Sequence, residues 1–457
     1  MPGENFQLAV SALLMAMGVY MIVVVRALPL RPVRLIRGLR NAFRAEATPG
    51  ITPIEAFSAA LGGCVGTGNI AGVAGAIAIG GPGAVFWMWI SGIVGMATKY
   101  AEAMLAIRFR PNSGKEPAGG AMYCIVQGMG RRAWPLAAAF SVFALAASLA
   151  CGDIVQSNTM ALAVSGAVEA LAPGTPLVPV RAAAGVVCGG FLYFVMRGGA
   201  KGVCRTASFL VPVMSLLYIG AALGVILLRR EALPGAVKSI FEGAFGLRPV
   251  LGGVGGFTLA AAARVGIMRG TFSNEAGIGS ATMAYSTPGT GERAERAMPA
   301  ALDVLVDTLL ICTLTALAVL TGAAIPYGEA GVDGMAVCLS AFSVLMPKGA
   351  AGIFLAVSVA LFAFSSMLAW SMYGERALRF LTKGRGTGIY RACFALIAAL
   401  GAVTGTQTVW SLGEGLNALM ALPNLVMLLA LAPLAAREIR DYSAWRRWGR
   451  CGKISPY

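Results

Sequence analysis

Eleven stretches of this chain are apolar over a length suited to crossing a lipid bilayer, and nothing else in the sequence restricts the fold so tightly. A helix needs about 20 apolar residues to cross the hydrocarbon at a rise of about 1.5 Å per residue. The stretches run over 6–25, 54–79, 84–107, 134–170, 182–196, 207–228, 251–285, 298–324, 350–374, 387–407 and 412–436. A further run at 335–346 is too short to span and is expected as a surface helix. Hydrophobic residues make up 58% of the chain and charged residues 12%, against roughly 25% charged in an ordinary soluble domain. No soluble core hides that much apolar surface. Soluble enzymes, nucleic-acid modules and disordered scaffolds are excluded, and an all-α polytopic membrane protein is left.

The net charge of +16 would suggest nucleic acid in a soluble chain. Here the placement of the basic residues accounts for it. An odd number of spans puts the termini on opposite sides. With the N-terminus outside, the inner connections carry 27 of the 36 Lys and Arg residues and the outer ones six, while Lys99, Arg264 and Arg269 lie within spans. That asymmetry obeys the positive-inside rule; only the loop 229–248 runs against it. The first span is preceded by Glu4 and no basic residue, and the cluster Arg26 to Arg44 follows it. This is the pattern of a retained helix rather than a signal peptide.

Two spans break the rules of helix composition in the same way. "GGCVGTGNIAGVAG" (62–75) lies inside the second and "RGTFSNEAGIGS" (269–280) inside the seventh. Glycine in a helix interior costs about 1 kcal/mol relative to alanine. Irregular backbone at membrane depth is tolerated only where it lines a cavity or is buried in protein. The two glycine clusters stand 205 residues apart, from Gly72 to Gly277, and five spans begin with each. That spacing reads as a five-plus-five inverted repeat with paired broken helices. Residues 1–50 then form an extra N-terminal transmembrane helix and basic cytoplasmic linker, 51–230 the first repeat, 251–436 the second, and 437–457 a basic cytoplasmic tail. Glycines in a single membrane helix more often serve close packing; the pairing of two such clusters favours a binding site. "GTGNIAG" also resembles a dinucleotide fingerprint, but no strand precedes it and Trp87 and Trp89 stand where an acid belongs.

The segment "VGTGNIAGVAGAIAIGGPGAVFWMWISGIVGMATKYAEAMLAIRFR" (65–110) resembles the signature of the alanine/glycine:cation symporter family. So do "GGAMYCIVQGMG" (119–130), "VQSN" (155–158), "VPVMSLLYIG" (211–220), "RGTFSNEAGIGS", "LFAFSSMLAWSMYGER" (361–376) and "LNALMALPNLV" (416–426). The resemblance covers about residues 51–430. It implies the leucine-transporter (LeuT) type of inverted repeat, about 11 helices in all, and cation-coupled uptake of alanine or glycine. Three positions depart from the family pattern: Asp153 where asparagine is expected, Glu414 where aspartate is, and Glu55 where glutamine is.

An amino acid zwitterion needs donors for its carboxylate and acceptors for its ammonium. Unwinding at Gly66, Thr67, Gly68 and Asn69 frees N–H groups at the positive end of the next half-helix, which suits the carboxylate. Carbonyls freed near Phe272, Ser273 and Asn274, with Gly277 in the same break, can accept from the ammonium. Gln156 can reach the substrate or make an interhelical hydrogen bond, and Asn158 lies off that face. Trp370, one turn after Ser366, is expected to wall a methyl-sized pocket together with Phe272. Sodium wants oxygen ligands, as other hard cations do. Ser365 and Ser366 offer adjacent hydroxyls, although such serines in membrane helices are usually bonded to their own carbonyls. The resemblance pairs them with carbonyls of the first broken helix, for which Val65 and Gly68 are the candidates.

Among the charged residues in or near spans, Lys99, Glu102, Arg264, Arg269, Glu275, Asp303 and Asp307 are expected to face the interior and pair. Glu275 is read as an organiser of the second break, and Asp303 and Asp307 as one face of a helix near its inner end, open to a proton relay. With no histidine, nine scattered cysteines lacking any C-x-x-C pair, and no convergent acid–base cluster, no cofactor is expected, and neither an integral membrane enzyme nor a metal centre is favoured. A channel is the remaining rival, and it would lack coupling. The reading is a secondary active symporter of a small neutral amino acid with sodium as coupling ion, the alternative being proton coupling or a related small substrate. It is placed in the cell membrane with the N-terminus outside and the C-terminus cytoplasmic.

Overall fold

The computed structural model describes residues 2–44, 51–111, 119–246, 259–286, 291–325, 327 and 332–449. The chain is all helical there. The helices are α1 (Pro2–Val24), α2 (Pro32–Arg44), α3 (Pro53–Cys64), α4 (Ala71–Gly80), α5 (Gly83–Arg108), α6 (Ala121–Met129) and α7 (Trp134–Leu149). Next come α8 (Val155–Leu171), α9 (Leu177–Met196), α10 (Gly199–Leu228), α11 (Leu233–Phe245), α12 (Leu259–Asn274) and α13 (Ser280–Ala284). The rest are α14 (Arg293–Arg296), α15 (Met298–Val304), α16 (Thr313–Gly322), α17 (Gly334–Phe342), α18 (Lys348–Thr382), α19 (Thr387–Gly401) and α20 (Thr406–Gly449).

Among the described residues, seven helices are individually long and apolar enough to cross a membrane. The broken pairs α3–α4 and α12–α13, the 26-residue α5 and the 15-residue α19 supply the other four spans read from the sequence. Residues 251–258, the start of the seventh stretch, lie outside the described residues. The outer surface is apolar: Phe191, Phe194, Phe209, Leu216, Ile389 and Leu396 are all exposed, as hydrocarbon-facing residues should be.

Two elements differ in detail from expectation. The run at 335–346 is a short helix with Ala336 and Ser340 exposed and its other face packed on the protein. As α17 it buries Val337, Cys338, Ala341 and Phe342, and it packs on the start of α4, where Cys338 Sγ lies 3.5 Å from the Ile70 carbonyl. Its Gly334 sits against the Ala71 backbone, so close that a Cβ would come within 2.0 Å of the carbonyl oxygen. The second difference is a π-helical turn in each of two long helices, at Ala150–Ile154 between α7 and α8 and at Leu305–Cys312 between α15 and α16. Sequence periodicity gives no signal for a single widened turn.

The extra helix α1 is built into the bundle. It packs against α5, α12 and α20, and its Leu14 lies against Gly277 of the second break. Gly18 lets α1 approach α5: a Cβ there would lie 2.2 Å from Val94 Cγ1, whereas Gly166 on α8 has open space around it. Gly18→Leu is therefore expected to cost about 1–3 kcal/mol by overpacking, and Gly166→Leu to be near neutral. Thermal unfolding of the purified protein in detergent checks this.

Candidate functional site

Helix α3 starts at a capping box: the Thr52 hydroxyl accepts from the Glu55 N–H (3.2 Å) and Glu55 Oε2 from the Thr52 N–H (2.8 Å). Glu and Gln both close such a box, so the departure at Glu55 leaves this motif intact. The helix ends at Cys64. Gly66 is extended, and its N–H donates to Asn69 Oδ1 (2.9 Å) rather than back to Gly62. A short turn over Thr67–Asn69 then leads into α4. Gly66 has no room for a side chain, because a Cβ would stand 2.6 Å from Ser366 Oγ and 3.2 Å from Gln156 Oε1. Gln156 Oε1 accepts from the Thr67 hydroxyl (3.1 Å) and, at longer range, the Thr67 N–H (3.4 Å).

The second break runs from Glu275 to Gly279. Glu275, Gly277 and Gly279 take positive φ values of 55°, 92° and 93°. The glycines make that turn accessible at low cost; Glu275 is held there by a bond from Trp370 Nε1 to its Oε1 (3.0 Å). Asn274 Oδ1 accepts the Ala276 N–H (3.0 Å). Glu102, buried on α5, accepts from the Gly279 N–H (3.1 Å) and Asn424 Nδ2 (2.5 Å), and the same amide nitrogen donates to the Gly277 carbonyl (2.8 Å).

Two buried groups tie the breaks together. Lys99 Nζ lies 2.8 Å from Cys64 Sγ at the end of α3, 2.9 Å from the Asn274 carbonyl at the end of α12, and 2.8 Å from Asp303 Oδ2. An ammonium at two helix C-termini meets the negative ends of both dipoles. Asp307, in the π turn, accepts from Asn69 Nδ2 of the first break (2.6 Å), from the Ser273 hydroxyl of the second (2.9 Å) and from Thr308 (2.7 Å). Asp303 and Asp307 are thus at the depth of the breaks, not near the inner end of their helix, and each has its own partners.

The serine pair faces the first break. Ser366 Oγ donates to the carbonyls of Gly62 (3.0 Å) and Gly63 (3.4 Å), and Ser365 Oγ to Phe362 (2.9 Å) and Gly62 (3.4 Å). The carbonyls within hydrogen-bond reach of the hydroxyls are those of Gly62 and Gly63, in the last turn of α3 just before Val65. Trp370 is buried beside Gly152, whose missing Cβ would lie 2.2 Å from Trp370 Cβ. Its ring pairs with Tyr373, whereas the Phe272 ring pairs with Trp410 under the Arg269 guanidinium. The two expected walls are not a ring pair. Asn158 donates to the Gly401 and Thr404 carbonyls (3.1 and 2.7 Å) and is structural.

Cys64 and Asn424 carry roles that no reading of the sequence assigned. Asn424 lies in the quoted segment "LNALMALPNLV", but its partner Glu102 is 322 residues away, so only the fold brings them together. Asp153, in the other π turn, is fully buried with no hydrogen-bond partner for either carboxylate oxygen among the described residues.

Paired helix breaks inside an all-helical membrane bundle define a class, the transporters of the leucine-transporter fold. A solved manganese transporter of Eremococcus coleocola matches 87% of this chain and 81% of its own length with a TM-score of 0.53 at 16% identity, which is a likeness of fold alone. The chain belongs to the sodium:alanine symporter family, whose sequence profile matches residues 4–454. It is 36% identical over 385 residues to the sodium/alanine symporter AgcS of Methanococcus maripaludis, covering 83% of this chain and 81% of that one. It is 35% identical over 421 residues to the probable sodium/glutamine symporter GlnT of Bacillus subtilis, covering 91% and 84%. The protein is a multi-pass membrane transporter of a sodium-coupled amino acid symporter family, not an enzyme.

Removing one member of a buried ion pair strands the other, at about 3–5 kcal/mol. Lys99→Met and Asp303→Asn should each lower the unfolding temperature markedly, and the double variant by clearly less than the sum; thermal denaturation of the three variants reads this. Asp153→Leu, which removes both unpartnered oxygens at a similar shape, should instead stabilise the protein by about 1–3 kcal/mol, the usual cost of an unsatisfied buried polar group, with uptake retained.

Proposed function

We propose that this chain couples sodium entry to uptake of a small neutral amino acid, alanine or glycine, by alternating access in the cell membrane, with the N-terminus outside and the C-terminus cytoplasmic. The observation that carries the reading is the convergence of the Ser365 and Ser366 hydroxyls on the carbonyls of Gly62 and Gly63. These are neutral oxygens, wholly buried, at the negative end of the α3 dipole, and a bare sodium ion is the ligand such a set suits. The substrate lies beside it. Its carboxylate takes the Thr67 donors now held by Gln156, at the start of α4, and its ammonium takes carbonyls of the Phe272–Asn274 segment. Gly66 and Gly68 let the backbone approach, while Gln156 and Gly277 complete the cradle.

Trp370 supports a methyl-sized limit. It is pressed on Gly152 and tied to Glu275, so enlarging the pocket means breaking a buried bond. The name of AgcS supports alanine, and that of GlnT a larger neutral amino acid. Coupling to sodium makes transport concentrative, since one charge across 100 mV is worth about 2.3 kcal/mol, or roughly 50-fold accumulation.

The test is uptake of labelled alanine into proteoliposomes. Uptake should require a sodium gradient and rise with a negative interior. Ser366→Ala should raise the sodium concentration for half-maximal uptake roughly tenfold, the equivalent of about 1.4 kcal/mol. It should weaken alanine binding mainly at low sodium, because coupling between ligands is reciprocal. Uptake indifferent to both sodium and potential would overturn the reading.

A further inference from the structure

Helix α2, cytoplasmic in the orientation proposed above, has two faces of opposite chemistry. The chain leaves α1 through a sharp turn at Arg26 and Ala27, with φ values of 53° and 49°, and enters α2 a few residues later. Leu35, Gly38 and Ala42, spaced three and four apart, are buried. Below them, Gly38 rests on Met298 of α15, where a Cβ would lie 2.5 Å from Cγ. Asn41 Nδ2 donates to Glu295 Oε2 on α14 (2.9 Å), and Phe43 meets Phe57 of α3 edge-on at 5.6 Å.

The opposite stripe is basic and carries exposed aliphatic side chains. Arg37, Arg40 and Arg44 repeat at three and four residues along it and are exposed. Val33 and Ile36 stand beside them at 70% and 67% exposure. Residues 26–44 hold six arginines, and no acidic residue occurs between Glu4 and Glu46. Bare aliphatic side chains next to a row of guanidinium groups, on a helix that begins where a membrane helix has just ended, match the boundary between acyl chains and phosphates. Arginine in particular offers bidentate donors to phosphate oxygens.

We propose that this stripe of α2 binds anionic phospholipid headgroups of the inner leaflet. Through Asn41–Glu295 and Gly38–Met298, the lipid charge then acts on α14 and α15, the segment that follows the inner half of the second broken helix. The inference rests on the N-out orientation.

The experiment uses the full chain carrying Ile36→Cys in a Cys393→Ser, Cys451→Ser background. It is reconstituted in phosphatidylcholine vesicles with or without phosphatidylglycerol, and labelled with an aqueous maleimide. Phosphatidylglycerol should slow labelling several-fold and raise the rate of alanine uptake. High salt should shrink both effects, since the interaction is between charges at a surface. Arg37→Gln, Arg40→Gln and Arg44→Gln combined should abolish both responses while leaving thermal stability and uptake in pure phosphatidylcholine unchanged. Equal labelling in the two vesicles, or a triple variant that still responds, would overturn the proposal. So would inorganic phosphate reproducing the effect in phosphatidylcholine, since the surface would then be a site for free anions. Labelling of Ile36→Cys by the impermeant maleimide in intact cells would refute the orientation, and the inference with it.

Discussion

The ammonium of Lys99 is the point on which the two interrupted helices converge. It contacts the last residue of α3, the last carbonyl of α12 and the carboxylate of Asp303 at once, and it is 1% exposed. A helix cut at membrane depth leaves carbonyls with no N–H partner and no water to replace it. At α12 the cation satisfies such a carbonyl directly. At α3 it meets the Cys64 thiol at the negative end of the dipole while Ser365 and Ser366 take the free carbonyls, and the Asp303 carboxylate balances its charge.

The other supports follow the same logic. Asp307 reaches Asn69 of one break and Ser273 of the other, and Glu102 with Asn424 closes the turn after Glu275. Side chains from α5, the Leu305–Cys312 turn and α20 thus replace the helical hydrogen bonds that glycines gave up. Both π turns fall on helices that flank the breaks and each contains an aspartate, but their use differs. Asp307 is fully engaged, whereas Asp153 has no partner among the described residues. Trp370 and Glu275 are tied across the second break, so the buried indole and the strained backbone are one unit.

The class of the fold and the two breaks were legible because their signals are local. Apolar length sets the spans, and glycine with small polar residues inside an apolar run marks irregular backbone wherever it occurs. The serine pair was legible as a pair of hydroxyls, but its hydrogen-bond partners, the Gly62 and Gly63 carbonyls, were not. Where a helix ends depends on competition for one N–H, here won by the Asn69 side chain. The run at 335–346 had the length of a surface helix and became a cap on α4, because Gly334 and Cys338 permit an approach that length alone does not disclose.

What the sequence determined by itself was a many-span bundle, its two points of unwinding, the sidedness of its basic residues and its family. Each of these depends on residues near in the chain, read against the fixed thickness of a bilayer. Only the tertiary structure decided which charges meet. Lys99 with Asp303, Asn69 with Asp307 and Glu102 with Asn424 are pairs separated by some 200 to more than 300 residues. Electrostatic pairing depends on distance in space, and no pattern along the chain encodes that distance until the helices have packed.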